Sequence, residues 1–225
     1  MQRNFVSKSI ILASALLAVG YTNMSCKSSS KVSKNDISKA EYQAAITPTN
    51  AQQENIATVS MGGTSGEELK RIMAGYVPDL NENLGDIAMV DIYDEGLVVT
   101  MNKGNFFDVN SYIIKEEAKA DLRKVAFSLN QMPNTFVVVG GHTDATGSYK
   151  HNKKLSRMRA VQVANYLKSS GVDEKRLLVE GYGKDIPRYT NNTMKGRDKN
   201  RRVDFVIVAD NAVRESTINT MGSVR

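Results

Sequence analysis

Apolar positions in the second half of this 225-residue chain follow two different periods. Short runs with the strand pattern predict five strands, at 88–93, 97–101, 136–139, 176–180 and 203–208. The first two runs are separated by Asp94, Glu95 and Gly96, which predicts an antiparallel hairpin. The run at 136–139 is continuously apolar, so it predicts a central strand that is covered on both faces.

Three segments carry apolar residues at helical spacing instead. They predict helices at 67–76, 114–129 and 148–170. The first ends before Pro78, and the third ends at Gly171, whose missing Cβ suits a left-handed cap. Glu116 and Glu117 lie near the positive N-terminal end of the second helix.

The order of these elements predicts an α+β fold. After the short first helix the chain runs β-β-α-β-α-β-β. We expect a β-α-β-α-β-β sandwich with two helices on one mixed four-stranded sheet, and an additional strand from the N-terminal hairpin. A polar loop extends to residue 199 before the last strand, and no element is predicted for the polar tail at 210–225.

The N-terminus has the pattern of a secretory signal. Arg3 and Lys8 precede an uninterrupted run of apolar and small residues at 10–20. Because about 20 apolar residues are needed to span a bilayer, a retained transmembrane helix is the weaker interpretation. The only cysteine, Cys26, follows Ser25 directly, which predicts a lipid anchor on Cys26. The alternative is an ordinary cleaved signal with an unmodified cysteine.

Composition divides the chain into five parts. These are a signal peptide at 1–25, a lipidated cysteine and flexible tether at 26–66, a short helix and hairpin strand at 67–96, a folded domain at 97–209, and a C-terminal tail at 210–225. The tether is rich in Ser, Lys, Asn, Gln and Thr and has a root-mean-square reach of roughly 35 Å. The anchor and the domain are therefore expected to serve different surfaces.

Three short motifs would be hard to assign singly, but together they point to a ligand. A Gly-His-Thr-Asp run at 141–144 follows the third strand, an N-x-x-L-S-x-x-R-A pattern at 152–160 lies on the next helix, and a G-R-x-x-N-R-R-V run at 196–203 enters the last strand. Asp144 and Arg159 supply one acid and one base, which suit the two charges of a zwitterion. The alternative is a plain structural ion pair between them.

The segment 97–209, about half of the chain, resembles the OmpA-like C-terminal domain that Pal lipoproteins and flagellar stator proteins share. The matching positions are Phe107, Asp108, Asn110, Ser111, Gly141, His142, Thr143, Asp144, Gly147, Asn152, Leu155, Ser156, Arg159, Ala160, Gly171, Val172, Gly181, Tyr182, Gly183, Pro187, Gly196, Arg197, Asn200, Arg201, Arg202 and Val203. The resemblance implies non-covalent binding of peptidoglycan through the meso-diaminopimelate of its stem peptide, and a role in anchoring the envelope.

This ligand agrees with the chemistry of the residues. Diaminopimelate in an uncrosslinked stem presents an ammonium and a carboxylate on one carbon, which suit Asp144 and Arg159. Asn152, Leu155 and Arg159 share a helix face, so we expect Leu155 to pack against the methylenes of the ligand. By the family's pattern, the rim is completed by hydrogen bonds from Asn110, Ser111, Thr143 and Arg202. Because Arg201 and Arg202 alternate to opposite sides, one of these two is expected to be a scaffold residue.

Two other functional classes fit the residues less well. An enzyme would need a paired acid and base, a metal cluster or an activated nucleophile. The two histidines, His142 and His151, do not have the spacing of metal ligands. We therefore expect no catalytic residue, metal or cofactor. The net charge of +6 falls to +4 when the two basic residues of the signal are removed. A basic face on the domain makes a nucleic-acid or other polyanion-binding module a further alternative. The export signal argues against nucleic acid as a partner.

The segment before the domain separates the roles known in the family. A porin would need many upstream strands, and a stator would need a membrane helix with an acidic residue, which the run at 10–20 lacks. We therefore expect an outer-membrane lipoprotein whose domain faces the periplasm and binds diaminopimelate-type peptidoglycan. A freely periplasmic wall-binding protein is the alternative, and other envelope proteins are left open as partners of residues 27–87.

Overall fold

The computed structural model describes residues 63–102 and 106–222. Its helices are α1 (Gly63–Ala74), α2 (Val77–Leu84), α3 (Glu116–Asn130), α4 (Tyr149–Ser169), α5 (Met194–Asn200) and α6 (Asn211–Gly222). Its strands are β1 (Ala88–Tyr93), β2 (Gly96–Met101), β3 (Thr135–His142), β4 (Leu177–Gly183) and β5 (Val203–Ala209). The predicted signal peptide, Cys26 and the tether up to residue 62 lie outside the described residues.

The five strands form one mixed sheet in the order β1-β2-β5-β3-β4. Neighbouring strands are antiparallel except β3 and β4, which are parallel and are connected through α4. The predicted α+β class and the mixed sheet with one additional hairpin strand are confirmed. Both β3 and β5 lie in the interior of the sheet, so the chain segments just before and after them are placed side by side.

Helices cover one face of the sheet and form the core with it. Val137 and Val139 of β3 and Phe205 of β5 are fully buried, as are Leu122 of α3 and Leu167 of α4. Each such side chain contributes about 1.5–3 kcal/mol when it leaves water. The position of α4 on the sheet is therefore strongly fixed by packing.

Two glycines let α4 lie close to the sheet. A Cβ placed on Gly141 would be 2.0 Å from the carbonyl oxygen of Ser156, and one on Gly181 would be 2.6 Å from the Cβ of Arg157. No other residue type leaves room for the helix at these points. The helix is also capped at its N-terminus, because Ser148 Oγ accepts a hydrogen bond from the N–H of His151 at 3.2 Å.

Helices α2 and α5 were not predicted from the sequence. Helix α2 has Pro78 in its first turn, where a proline is tolerated because the N–H it lacks would have no partner in the helix. Helix α5 interrupts the predicted polar loop and is capped by Thr193, whose Oγ1 accepts from the N–H of Gly196 at 3.1 Å. Both helices are short, so neither has enough apolar positions to show a clear helical period.

Helix α6 occupies the tail for which no element was predicted. Asp210 caps it by accepting from the N–H of Val213 at 2.9 Å. Arg214 is only 5% exposed and lies 3.9 Å from the carboxylate of Glu95 in the β1–β2 turn. The tail looked unstructured because the residues that it buries are largely polar. Within 63–102 and 106–222, no helix is both long and apolar enough for a membrane span.

Candidate functional site

The guanidinium of Arg159 is buried beneath the segment that leads from β2 to α3. The residue is 2% exposed, its Nε donates to the carbonyl of Ser111 at 2.9 Å, and one Nη donates to the carbonyl of Asp108 at 3.1 Å. The ring of Phe107 lies 5.1 Å from the guanidinium carbon. Among the described residues, no carboxylate lies within 4.0 Å of this cation. Its hydrogen-bond and ring partners are therefore neutral groups, and N–H donors remain for an anion.

This environment works against the charge of Arg159. Burial lowers the pKa of Arg159 to about 10, with a further lowering by Arg201 that the negative charge of Asp144 opposes. The group is still charged at neutral pH, but the lowering corresponds to about 3 kcal/mol by which the fold disfavours the cation. A carboxylate that reached the remaining N–H groups would relieve this penalty.

The carboxylate of Asp144 lies in the loop that leaves β3, and both of its oxygens have partners. Oδ2 accepts from Arg201 Nη1 at 2.6 Å, and Oδ1 accepts from the N–H of Thr146 at 2.8 Å. Arg201 also pairs with Asp198 of α5. Burial alone would raise the pKa of Asp144, but the hydrogen bonds from Arg201 and Thr146 outweigh it and hold the pKa below its ordinary value.

Asp144 and Arg159 are near neighbours without being paired. Their charges influence each other, since Asp144 raises the pKa of Arg159, but the ion pair that Asp144 forms is with Arg201. A direct structural pair between the two was the alternative considered from the sequence, and the described residues do not form one. The charges of Asp144 and Arg159 thus act on each other without forming an ion pair.

Asn152 and Thr143 hold the loop that carries Asp144. The Asn152 side chain is buried on α4, and its Nδ2 donates to the carbonyl of Thr146 at 2.9 Å. Thr143 Oγ1 donates to the carbonyl of Asp144 at 3.0 Å, and the Thr143 N–H donates to the carbonyl of Gly183 at 2.8 Å. These side chains brace the site in the absence of a ligand. Leu155 is half-buried one turn before Arg159 on the same helix.

Asn110 shapes the turn that contacts Arg159. Its φ of 58° lies in the left-handed region, which asparagine tolerates better than most residues, and the N–H of Ser111 donates to the carbonyl of Asp108 at 3.1 Å across the turn. This turn directs the carbonyls of Asp108 and Ser111 to Arg159. The Oγ of Ser111 accepts from the N–H of Ile113 at 3.1 Å.

We expect Asn110→Gly to keep both stability and ligand binding, and Asn110→Val to lower the free energy of unfolding by about 1–2 kcal/mol. Glycine adopts positive φ without strain, whereas valine does not. Urea unfolding measures the first effect, and a ligand titration measures the second. If Asn110 acts through its amide on the ligand, as the family pattern implies, the glycine variant will instead lose binding at unchanged stability.

The structure separates the two arginines before β5. Arg202 was predicted at the rim, but it is 3% exposed, donates from Nε to Asp204 at 3.0 Å and from Nη2 to the carbonyl of Ile186 at 3.2 Å. Arg201 is the one that reaches Asp144. Strand alternation explains this, because Val203 and its odd-numbered successors face the helices, so position 202 faces away from them.

The position of His142 and the possibility of a metal site complete the description. His142, one of the matching positions, is buried, with Nε2 3.3 Å from Asp204 Oδ2. Across residues 63–102 and 106–222, no group of three or more His, Cys, Asp or Glu residues is arranged to hold a metal.

The sequence around the site matches a known protein family. The OmpA family model matches residues 106–201, a span that includes Asp144, Arg159 and Arg201. The chain is 32% identical over 120 residues to the outer-membrane lipoprotein YfiB of Pseudomonas aeruginosa, which is 53% of this chain and 71% of that protein. The chain belongs to the OmpA family.

The OmpA-family domain accounts for only part of some relatives. It is 38% identical over 110 residues to outer membrane protein A of Bordetella avium, which is 49% of this chain and 57% of that protein. It is 35% identical over 113 residues to the probable lipoprotein YiaD of Escherichia coli, which is 50% of this chain and 52% of that protein. The chain thus spans little more than half the length of these relatives.

Solved structures share the OmpA-family fold. A putative MotB like protein from Desulfovibrio vulgaris superposes with a TM-score of 0.57 at 19% identity, over 64% of this chain and 98% of that one. The cell wall anchor of the T6SS from Pseudomonas aeruginosa superposes with a TM-score of 0.51 at 28% identity, over 61% and 97%. The first likeness supports the fold alone.

Proposed function

We propose that this OmpA-family domain binds peptidoglycan non-covalently through the meso-diaminopimelate of an uncrosslinked stem peptide. One observation carries the proposal: Arg159 is a buried cation whose contacts among the described residues are neutral. An isolated buried charge is unfavourable unless a partner completes it. The free carboxylate of diaminopimelate is such a partner, since a planar guanidinium binds a carboxylate through two parallel hydrogen bonds.

The ammonium on the same carbon of the ligand is assigned to Asp144. This carboxylate stays ionised at neutral pH because its pKa is lowered, and it already attracts one cation, Arg201. The incoming ammonium shares Asp144 with Arg201 or replaces it. Arg201 accordingly takes the place at the rim that the sequence analysis gave to Arg202. Asn110, Ser111, Thr143, Asn152 and Leu155 are kept in the proposal as the residues that shape the surrounding wall.

Two kinds of relative support this function. The T6SS structure is described as a cell wall anchor, and YfiB is described as an outer-membrane lipoprotein. The proposal assigns a binding role and no catalytic residue.

The test compares walls of two chemistries. Purified diaminopimelate-type sacculi should retain the domain, whereas sacculi whose stems carry lysine should retain at least tenfold less, because lysine lacks the carboxylate that completes Arg159. Asp144→Ala should weaken retention on the diaminopimelate wall by about tenfold and less than loss of Arg159, because Arg201 already neutralises Asp144.

Arg157→Met is the matched control for these measurements. Arg157 lies on the same helix, and its Nη1 is 3.7 Å from Glu180 Oε2. Equal retention on both walls would contradict the assignment of diaminopimelate. A steep loss of binding with salt for wild type and Asp144→Ala alike would point to a polyanion site on the basic surface instead.

We also propose that Cys26 carries lipid and anchors the protein in the outer membrane, with the domain in the periplasm. The support is the signal-like segment before Cys26 and the lipoprotein relatives. Mass spectrometry of the mature N-terminus should find an acylated Cys26, and Cys26→Ser should move the protein from the membrane fraction to the soluble periplasm. An unmodified mature N-terminus at another residue would favour the freely periplasmic alternative.

A further inference from the structure

Three ionisable side chains are buried together on the sheet face that turns away from α3 and α4. Arg202, Asp204 and His142 are 3%, 7% and 3% exposed. Asp204 Oδ2 accepts from Arg202 Nε at 3.0 Å and lies 3.3 Å from His142 Nε2. Since Val203 and Phe205 point into the core, Asp204 between them points to the opposite face. We call these three residues the Asp204 cluster.

The surroundings of the Asp204 cluster add charge and an aromatic ring. Arg188 donates from Nη2 to Asp91 at 2.7 Å and from Nη1 to the hydroxyl of Thr100, and its charge lowers the pKa of His142 and of Asp204. The ring of Tyr182 stacks on His142 at 5.0 Å. Burial is the main reason that the pKa of His142 is lowered, so the imidazole is neutral at neutral pH.

This cluster is a poor source of stability. Three of its buried atoms, His142 Nδ1, Asp204 Oδ1 and Arg202 Nη1, have no hydrogen-bond partner among the described residues. Buried ion pairs seldom stabilise a fold more than apolar side chains of similar volume, and unsatisfied buried polar atoms are unfavourable. Packing alone therefore gives no reason for charged residues at these positions.

The cluster is joined directly to both members of the Asp144–Arg201 pair. Arg201 and Arg202 are consecutive, and their side chains leave the chain in opposite directions, one to Asp144 and one to Asp204. On the other strand, the N–H of His142 donates to the carbonyl of Arg202 at 3.0 Å, two residues before Asp144. A displacement of Arg202 would thus move Arg201 and loosen the strand end that carries Asp144.

We propose that the Asp204 cluster positions the ligand site through the sheet, with Asp204 holding Arg202 so that Arg201 is presented to Asp144. This inference rests on the proposed function, and it adds Arg202, Asp204 and His142 as positioning residues that do not touch the ligand. It also gives Arg202 a role different from the one expected at the rim. The charges matter because Asp204 fixes the direction of Arg202, which apolar side chains of equal volume would not do.

The test replaces the charges while keeping the volume. In Arg202→Met/Asp204→Leu the space of the cluster stays filled, and thermal unfolding should stay close to that of wild type. The carboxyl carbon of Asp144, followed by NMR during a pH titration without ligand, should titrate at a higher pKa than in wild type, because the hydrogen bond and the charge of Arg201 are lost while burial remains. Retention on diaminopimelate-type sacculi should fall about tenfold, because the strand end that carries Asp144 is no longer held in the position that receives the ammonium.

A second buried ion pair in the same domain supplies the matched control. Glu95 and Arg214 lie 3.9 Å apart, are as buried as the cluster, and connect α6 to the β1–β2 turn. Glu95→Leu/Arg214→Met should leave both the titration of Asp144 and wall retention as in wild type. If the first double variant does not fold, Asp204→Asn, which keeps the shape of the side chain, is measured in the same way.

The outcomes are distinct for the two proposals. A stable Arg202→Met/Asp204→Leu variant in which Asp144 titrates as in wild type would overturn the positioning role. A pKa of Asp144 that rises in that variant and not in Glu95→Leu/Arg214→Met supports the role, whether or not the protein binds the wall. Failure of the wild-type domain to bind either wall would refute the proposed function, and the Asp144 titration would still decide whether the Asp204 cluster positions Arg201.

Discussion

Replacing Arg159 with methionine should weaken binding to diaminopimelate-type wall by at least about a hundredfold, with little loss of stability. Two charge-assisted hydrogen bonds to the ligand carboxylate would disappear, each of which contributes about 1.5–3 kcal/mol. The substitution also contributes stability, because it removes a cation whose pKa is lowered to about 10 by burial. The carbonyls of Asp108 and Ser111 lose their donor, which offsets that gain.

Binding of stem-peptide fragments and thermal unfolding measure these two effects on one sample. Arg159→Lys separates charge from geometry: it keeps the cation but loses the planar donor pair, so it should bind more weakly than wild type and better than the methionine variant. A methionine variant that unfolds readily but binds the wall normally once folded would show that Arg159 is a structural residue.

Gly141→Ala should lower the free energy of unfolding by about 3 kcal/mol, the upper end of overpacking effects. The added methyl group would lie 2.0 Å from the carbonyl oxygen of Ser156, so α4 must move away from β3. Arg159 lies on α4 less than one turn further on, and wall binding should therefore weaken as well. Urea unfolding and wall retention measure both effects.

Gly75→Ala is the control for this substitution. Its new methyl group would lie 3.1 Å from the carbonyl of Ile72 at the end of α1, a tight contact that small adjustments relieve. We expect a change below about 1 kcal/mol. An equally small effect of Gly141→Ala would show that α4 can shift along the sheet without loss, and the rigid placement of Arg159 would then be wrong.

Much of the fold follows from local chemistry that the sequence displays. The predicted helix at 148–170 and its cap Gly171 agree closely with α4, and the apolar runs of β3 and β5 are unambiguous. Helix α6 could not be predicted in this way. Its buried residues include Arg214 and Thr217, and their place in the interior depends on contacts with distant segments such as the β1–β2 turn.

The sequence predicted which residues form the candidate site better than it predicted which of them pair with each other. Asp144 and Arg159 were named from spacing, but the pairing of Asp144 with Arg201 required knowing on which side of β5 each arginine lies. The alternation along β5 predicted that Arg201 and Arg202 lie on opposite sides, but not which of the two reaches Asp144. The left-handed backbone of Asn110 has no comparable signal, because asparagine is common in turns of every kind.

The contacts around Asp144 and Arg159 join three stretches of chain that are far apart in sequence: the turn at 108–111, the loop at 143–146 together with helix α4 that follows it, and Arg201. No fragment shorter than this span contains all the groups, so capture of the wall component is available only to the completed domain. By mass action, an occupied site opposes global unfolding. A molecule bound to the sacculus should therefore be degraded by envelope proteases more slowly than an unbound copy, because it unfolds less often. Binding to the cell wall would then selectively preserve correctly folded molecules.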